Sequence, residues 1–277
     1  MILRAAALVA VMATGGGAQT WRTVEVSRQL HDTSEHRVRV RYGVGRLMLS
    51  STSDRVLFNM RLKYDEERMR PVHDYDADAR SATLGIEGES IRWTRYLRDR
   101  DRGEMRLTLS NVVPIDLALD LGGAEARVDA GGLALRSLRI ETGAADAVFD
   151  FSALNKAVMR RLDLSLGAAS FVITNLGNAN VETIKVEGGV GSVDLDFGAA
   201  VLRDVTVEAD MAFGKLTLHL PKDVGIRVEV KKVLASFEHS GLYRRGDAYF
   251  SDNWDTARVR VRVRAQTVFG EVEVDRR

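Results

Sequence analysis

Leu117-Ala118-Leu119-Asp120-Leu121-Gly122-Gly123 alternates apolar with small or polar side chains and ends on a glycine pair. Leu138-Arg139-Ile140-Glu141-Thr142-Gly143 does the same 21 residues later. Period two is the mark of strands with one face buried, and glycine lets the chain turn tightly where each run stops. The beat extends outward in both directions. Val38, Val40 and Tyr42 alternate with Arg37, Arg39 and Arg41, and Leu47, Leu49, Leu107 and Leu109 keep the same period. Val205 and Val207, Leu216 to Leu220, Ile226 to Val230, and Val259 to Val263 continue it. Only Ala153 to Arg161 reads as helical, for about two turns, so the chain is all-β.

Corners with glycine fall at Gly122, Gly143, Gly167, Gly189 and Gly214, and an Ala235-Ser236 corner follows. The steps between the glycines are 21, 24, 22 and 25 residues. Units of that length cannot bury a core alone, and stacking them predicts a β-solenoid-like pile of short strands. A β-sandwich gives similar alternation with regular turns and stands as the alternative. Two segments break the rhythm. Asp65 to Arg80, with Pro71, reads as a loop or crossover, and Arg95 to Gly103 reads as a charged turn. Residues 19–115 therefore form an N-terminal β-unit and 116–277 a repetitive body.

The first 18 residues read as a signal peptide: Arg4, an apolar run from Ala5 to Ala13, then Gly16 and Ala18 at the positions a signal peptidase reads. The expected address is exported, periplasmic or cell-surface. The 277 residues contain no cysteine, which excludes disulfides, thiol catalysis, cysteine zinc sites and a lipid-anchored lipoprotein. No later apolar run nears the ~20 residues of a membrane helix, so the mature chain has no transmembrane segment. Lys plus Arg number 40 against 39 Asp plus Glu. That balance argues against nucleic acid as a partner and favours self-association.

The two opening stretches are joined by Val40-Arg41-Tyr42-Gly43-Val44-Gly45-Arg46-Leu47-Met48-Leu49, Leu57, Phe58 to Tyr64, Pro71 and Leu84-Gly85-Ile86. With Phe269-Gly270-Glu271-Val272-Glu273-Val274 at the end, they resemble the toast-rack family of bacterial envelope proteins. That family is related to adhesin-like and cell-wall-active antibiotic response proteins. The resemblance implies a right-handed stack of β-coils at the cell envelope with no catalytic residues to carry over. Members that regulate signalling pair such a body with membrane helices, which this sequence lacks.

Chemical motifs are weak. In His73-Asp74-Tyr75-Asp76-Ala77-Asp78 the alternating aspartates suggest a calcium loop, but the expected glycine is missing and position twelve is Gly85 instead of a glutamate. No metal or cofactor is expected. There is no G-x-S-x-G elbow, and Gly188-Gly189-Val190-Gly191-Ser192 lacks the lysine of a phosphate loop. No catalytic residue is nominated.

Binding signals are stronger. Arg258, Arg260, Arg262 and Arg264 share one face of a strand, either as a comb for anionic glycan, teichoic acid or phospholipid head groups, or paired with an acidic ladder of Glu271, Glu273 and Asp275 on a neighbouring strand. Leu242 to Asp255 carries Tyr243, Tyr249, Phe250 and Trp254 among Arg244 and Arg245, residue types enriched in binding hot spots. Its alternative is a hairpin that caps the end of the solenoid. Arg245-Gly246-Asp247 spells a cell-attachment tripeptide, a match too short to carry weight.

The leading reading is a non-enzymatic envelope scaffold or adhesin-like binding module, with an envelope protein or cell-wall glycan as partner. An accessory sensor in envelope-stress signalling is the second reading. A carbohydrate-active enzyme with an undetected carboxylate pair is the third. Export has a direct check: the mature protein should begin near Gln19, and intact-mass measurement finding Met1 retained would remove the signal peptide.

Overall fold

The computed structural model describes residues 20–88, 103–198 and 200–277. The signal peptide read at 1–18 and nearly all of the charged turn at Arg95 to Gly103 lie outside them. In chain order the strands are β1 (Trp21–Gln29), β2 (His36–Thr52), β3 (Val56–Asp65), β4 (Met69–Asp76), β5 (Ser81–Gly88) and β6 (Glu104–Ser110). There follow β7 (Pro114–Asp129), β8 (Ala134–Thr142), β9 (Asp146–Asp150), β10 (Met159–Thr174), β11 (Val181–Asp196) and β12 (Val205–Leu220). The last are β13 (Gly225–His239), β14 (Leu242–Arg245), β15 (Ala248–Ser251) and β16 (Arg260–Arg276).

The alternating runs become long strands that each traverse two arms of a coil. In β10 the inward residues are Leu162, Leu164 and Leu166 before the corner and Ala169, Phe171 and Ile173 after it. The phase slips by one residue at Gly167-Ala168, both exposed, so the two arms keep facing one shared core. The same slip occurs in β7, where Leu121 gives way to Ala124. Coils β2, β7, β10, β11, β12, β16 and β13 stack in parallel, and β8 and β9 serve as the two arms of one coil between β7 and β10. A single apolar cluster runs from Val24 to Val274. The chain is an all-β solenoid-like stack. A parallel ladder of this kind is not a sandwich, whose sheets are antiparallel.

Four details differ from the sequence reading. Ala153 to Arg161 is not helical. Asn155, 1% exposed, uses its amide to bond the N–H and C=O of Leu135 and the C=O of Ala157, which fixes an irregular turn there. Asp65 to Arg80 is not a plain loop, because it contains β4, paired antiparallel with β5 from Met69↔Gly88 to Asp76↔Ser81. An outer strand is half solvated and tolerates Pro71, which hid the period. The corner glycines form two adjacent ladders. Gly122, Gly143, Gly167 and Gly189 lie in one, whereas Gly214 belongs to the other with Gly191 and Gly270. Finally, β13 does not follow β12 in space, since the C-terminal β16 inserts between them.

That second ladder admits no side chain. A Cβ on Gly214 would lie 1.8 Å from the carbonyl oxygen of Gly191, at a φ of +146°. Gly246, φ +64°, stands in open space at a hairpin tip. Gly214→Ala should therefore cost about 3 kcal/mol or more in denaturant unfolding, and Gly246→Ala only about 1 kcal/mol. Equal costs at the two sites would mean the ladder is not tightly held.

Candidate functional site

The C-terminal end of the stack is closed by a hairpin. Strand β15 pairs antiparallel with β13 at Arg227↔Phe250 and Val228↔Tyr249, and β14 pairs with β15 around a two-residue loop, Gly246-Asp247. Glycine first with a positive φ is what a type II′ turn needs. Ser251 is fully buried. Its oxygen accepts the Ile226 N–H at 2.8 Å while its hydroxyl donates to Asn253 at 2.7 Å.

The aromatic side chains of this hairpin divide between two faces. Tyr249 points to the core and meets Phe237 at 4.9 Å and His239 at 5.0 Å between ring centroids, covering the last coil. Phe250 and Trp254 face outward, edge to face at 5.6 Å. Around them stand guanidinium groups: Arg227 (5.8 Å) and Arg245 (4.9 Å) over Phe250, Arg245 over Tyr243 (5.5 Å), and Arg260 and Arg262 over Trp254 (both 5.7 Å). Ring faces attract cations at about 0.5–1 kcal/mol per exposed contact. The guanidinium carbons stand 4.9 to 5.8 Å from the ring centroids, so the array sets cations beside the rings.

Few carboxylates answer these cations. Arg262 pairs with Asp204 at 3.2 Å and Arg245 with Asp255 at 3.4 Å. Glu229 serves both Arg227 and Arg264, the latter at 3.6 Å. Arg260 bonds only to the carbonyls of Trp254 and Asp255 through its side chain. Five arginines thus share three carboxylates among the described residues.

Beneath the array a clasp joins the hairpin's following turn to the chain end. Arg276, its side chain 10% exposed, donates to Asp252 at 2.8 Å, to the Lys222 carbonyl at 2.8 Å and to the Gly241 carbonyl at 3.3 Å. Asp252 is held below the usual carboxylate range, first by that hydrogen bond and then by the charge of Arg276. Asp275 is lowered too, chiefly by the Ser240 hydroxyl at 2.7 Å and then by Arg277.

Of the residues singled out in the sequence, Tyr243, Arg245, Phe250, Trp254, Arg260 and Arg262 converge. Tyr249 is diverted to the cap, Arg244 bonds back to the Gly246 carbonyl, and Arg264 turns to Glu229. Arg258 precedes β16 and takes no part. The tripeptide Arg245-Gly246-Asp247 sits at the hairpin tip, but its arginine is engaged by the Tyr243 hydroxyl at 2.7 Å and by Asp255. The basic and acidic ladders do not face each other from neighbouring strands. Both lie on β16, on either side of the corner at Gly270. Glu271 and Glu273 are met instead by Lys215 on β12 at 3.2 and 2.6 Å. Arg227 was not visible as a member because only the β13–β15 pairing brings it to Phe250. The aspartates after His73 serve local structure, Asp76 accepting the Ala79 N–H at 2.9 Å.

Residues 16–157 match the model for the N-terminal domain of toast_rack, DUF2154. None of the curated proteins matches the chain in sequence. Among solved structures, a candidate cell adhesion protein from Clostridium sporogenes is similar over 93% of this chain and 100% of its own, at 16% identity and a TM-score of 0.52. A candidate adhesin from Bacteroides fragilis is similar over 91% and 96%, at 10% identity and a TM-score of 0.37.

The clasp has a pH signature. Both aspartates have lowered folded-state values, so their contribution is fully present above the ordinary value of 3.8 and is lost as pH falls through the folded value. The thermal midpoint should be flat from about pH 7 to about pH 5 and fall below about pH 4. Asp252→Asn should make that fall shallower. Superimposable profiles for variant and wild type would mean Asp252 is not held by Arg276.

Proposed function

The chain belongs to the toast-rack family, and on that premise we propose that it is an exported, non-enzymatic binding module of the cell envelope, adhesin-like in mode. It holds its partner through the arginine array at the C-terminal end of the stack. The observation that carries this reading is the imbalance there: Arg227, Arg245, Arg260 and Arg262 stand against Asp204 and Asp255, with Glu229 divided between Arg227 and Arg264. Guanidinium groups fixed against aromatic rings lose little freedom on binding and present paired N–H donors, which suit carboxylate and phosphate oxygens. An anionic cell-wall glycan fits that pattern. The candidate cell adhesion protein of similar fold is in keeping with a binding role.

The test is retention of the mature chain on teichoic acid against a neutral glucan, with salt titrated. Binding should be selective for the anionic polymer and weaken as salt rises. Arg245→Ala and Trp254→Ala should each lower affinity about tenfold, or about 1.4 kcal/mol, with Arg258→Ala unchanged as the control. Equal retention of all three variants would remove the array from the site. Capture of one membrane protein without glycan would favour a sensor, and shortening of the glycan would favour an enzyme.

A further inference from the structure

The two ends of the solenoid are finished differently. At the C-terminal end Phe237 and Tyr249 pack against the core, with the exposed His239 ring against both. At the N-terminal end the last layer comes from β4 on one side and from β1 and β3 on the other. Register fixes which side chains face inward. His73 and Tyr75 lie opposite the buried Leu84 and Ala82, and Val26 and Arg28 lie opposite the buried Met60 and Phe58. A cleft of about 800 Å³ takes in these inward residues and also the alternate residues of β1, β3 and β6, among them Ser27, Asn59 and Thr108.

The cleft has an apolar interior and one prepared cation. Val26, Phe58 and Met60 line it together with the ring of Tyr75. Arg28 stands over that ring, its guanidinium carbon 4.0 Å from the centroid. The ring is itself steadied by His36. The His36 Nδ1 is 2.8 Å from the Ser34 carbonyl and so takes the donor role, which leaves Nε2, 3.4 Å from the Tyr75 hydroxyl, as acceptor. Arg28 makes no ion pair among the described residues, and its Nε is buried without an acceptor. The other arginines that reach the cleft are already answered, Arg61 by Glu25 at 3.4 Å and Arg106 by Glu104 at 2.6 Å. His31 and His73 stand at the rim.

We infer that this N-terminal mouth is a binding site for an amphipathic monoanion, an apolar body bearing a single carboxylate. The apolar part replaces water against Val26 and the Tyr75 ring, and the carboxylate takes the N–H edge of Arg28. One unpaired guanidinium matches one negative charge and disfavours a dianion such as phosphate. A neutral sugar would leave the guanidinium unanswered and the apolar wall wet.

The test is fluorescence titration of the mature chain with 11-(dansylamino)undecanoate and with its uncharged methyl ester. The acid should bind saturably and at least about tenfold more tightly than the ester, the range of a charge-assisted hydrogen bond. Arg28→Gln should remove that preference while leaving the ester's affinity unchanged. Val26→Trp, which fills the mouth, should abolish both. Equal affinity of wild type for acid and ester would overturn the proposal, as would absence of saturable acid binding or an unchanged preference in Arg28→Gln. The comparison of acid with ester on wild type stands even if a variant fails to fold.

Discussion

Everything in this solenoid is referred to the place where one coil's backbone rests on the next with no room between them. At Gly191, Gly214 and Gly270 an added Cβ would fall 1.8 to 1.9 Å from a carbonyl oxygen of the neighbouring coil. Contact that close cannot slide. It pins the register of β11, β12 and β16 across the corner, and a slip of one residue would turn every inward leucine and valine to solvent. The two-arm coil, the shared core and the straight columns of side chains outside all follow from that lock.

A stack so built has open ends, and the chain treats them as separate problems. Strand β16 returns between β12 and β13, so the last coil is held by residues far apart in sequence, and Arg276 ties the chain end to the turn after β15. Beyond the hairpin, β13 leaves an edge that could template further pairing. Lys232 occupies there the inward column held by Met211 and Thr267 in the coils before it. Lys232 and its neighbour Lys231 are both exposed, and two charges on this edge discourage another strand from adding. At the other end Arg28 stands over the Tyr75 ring at the mouth of a cleft.

The charged exterior follows from the columns. Residues that face outward meet partners on adjacent coils, so Lys215 answers Glu271 and Glu273, and Arg39 answers Asp120 at 2.6 Å. Such exposed pairs contribute little each. Their meaning lies where the pattern breaks, as on the C-terminal hairpin, where aromatic rings hold arginines that carboxylates do not fully answer.

The sequence alone determined the period, the corners and the all-β class, because alternation and glycine act locally and leave their mark within a few residues. It marked Tyr243, Arg245, Phe250 and Trp254 because aromatic and arginine side chains cluster in one short segment, and Arg260 and Arg262 because they alternate along one strand. What it could not decide was adjacency. Whether β16 follows β12 or β13, whether Glu271 faces an arginine or Lys215, and whether Tyr249 points in or out depend on pairings between residues dozens of positions apart. The polar strand β4 and the turn around Asn155 were hidden likewise: one is stabilised by an edge partner and the other by a side-chain amide bonded to Leu135, 20 residues away. Those long-range hydrogen bonds are made only when the coils stack, and the tertiary structure alone decides them.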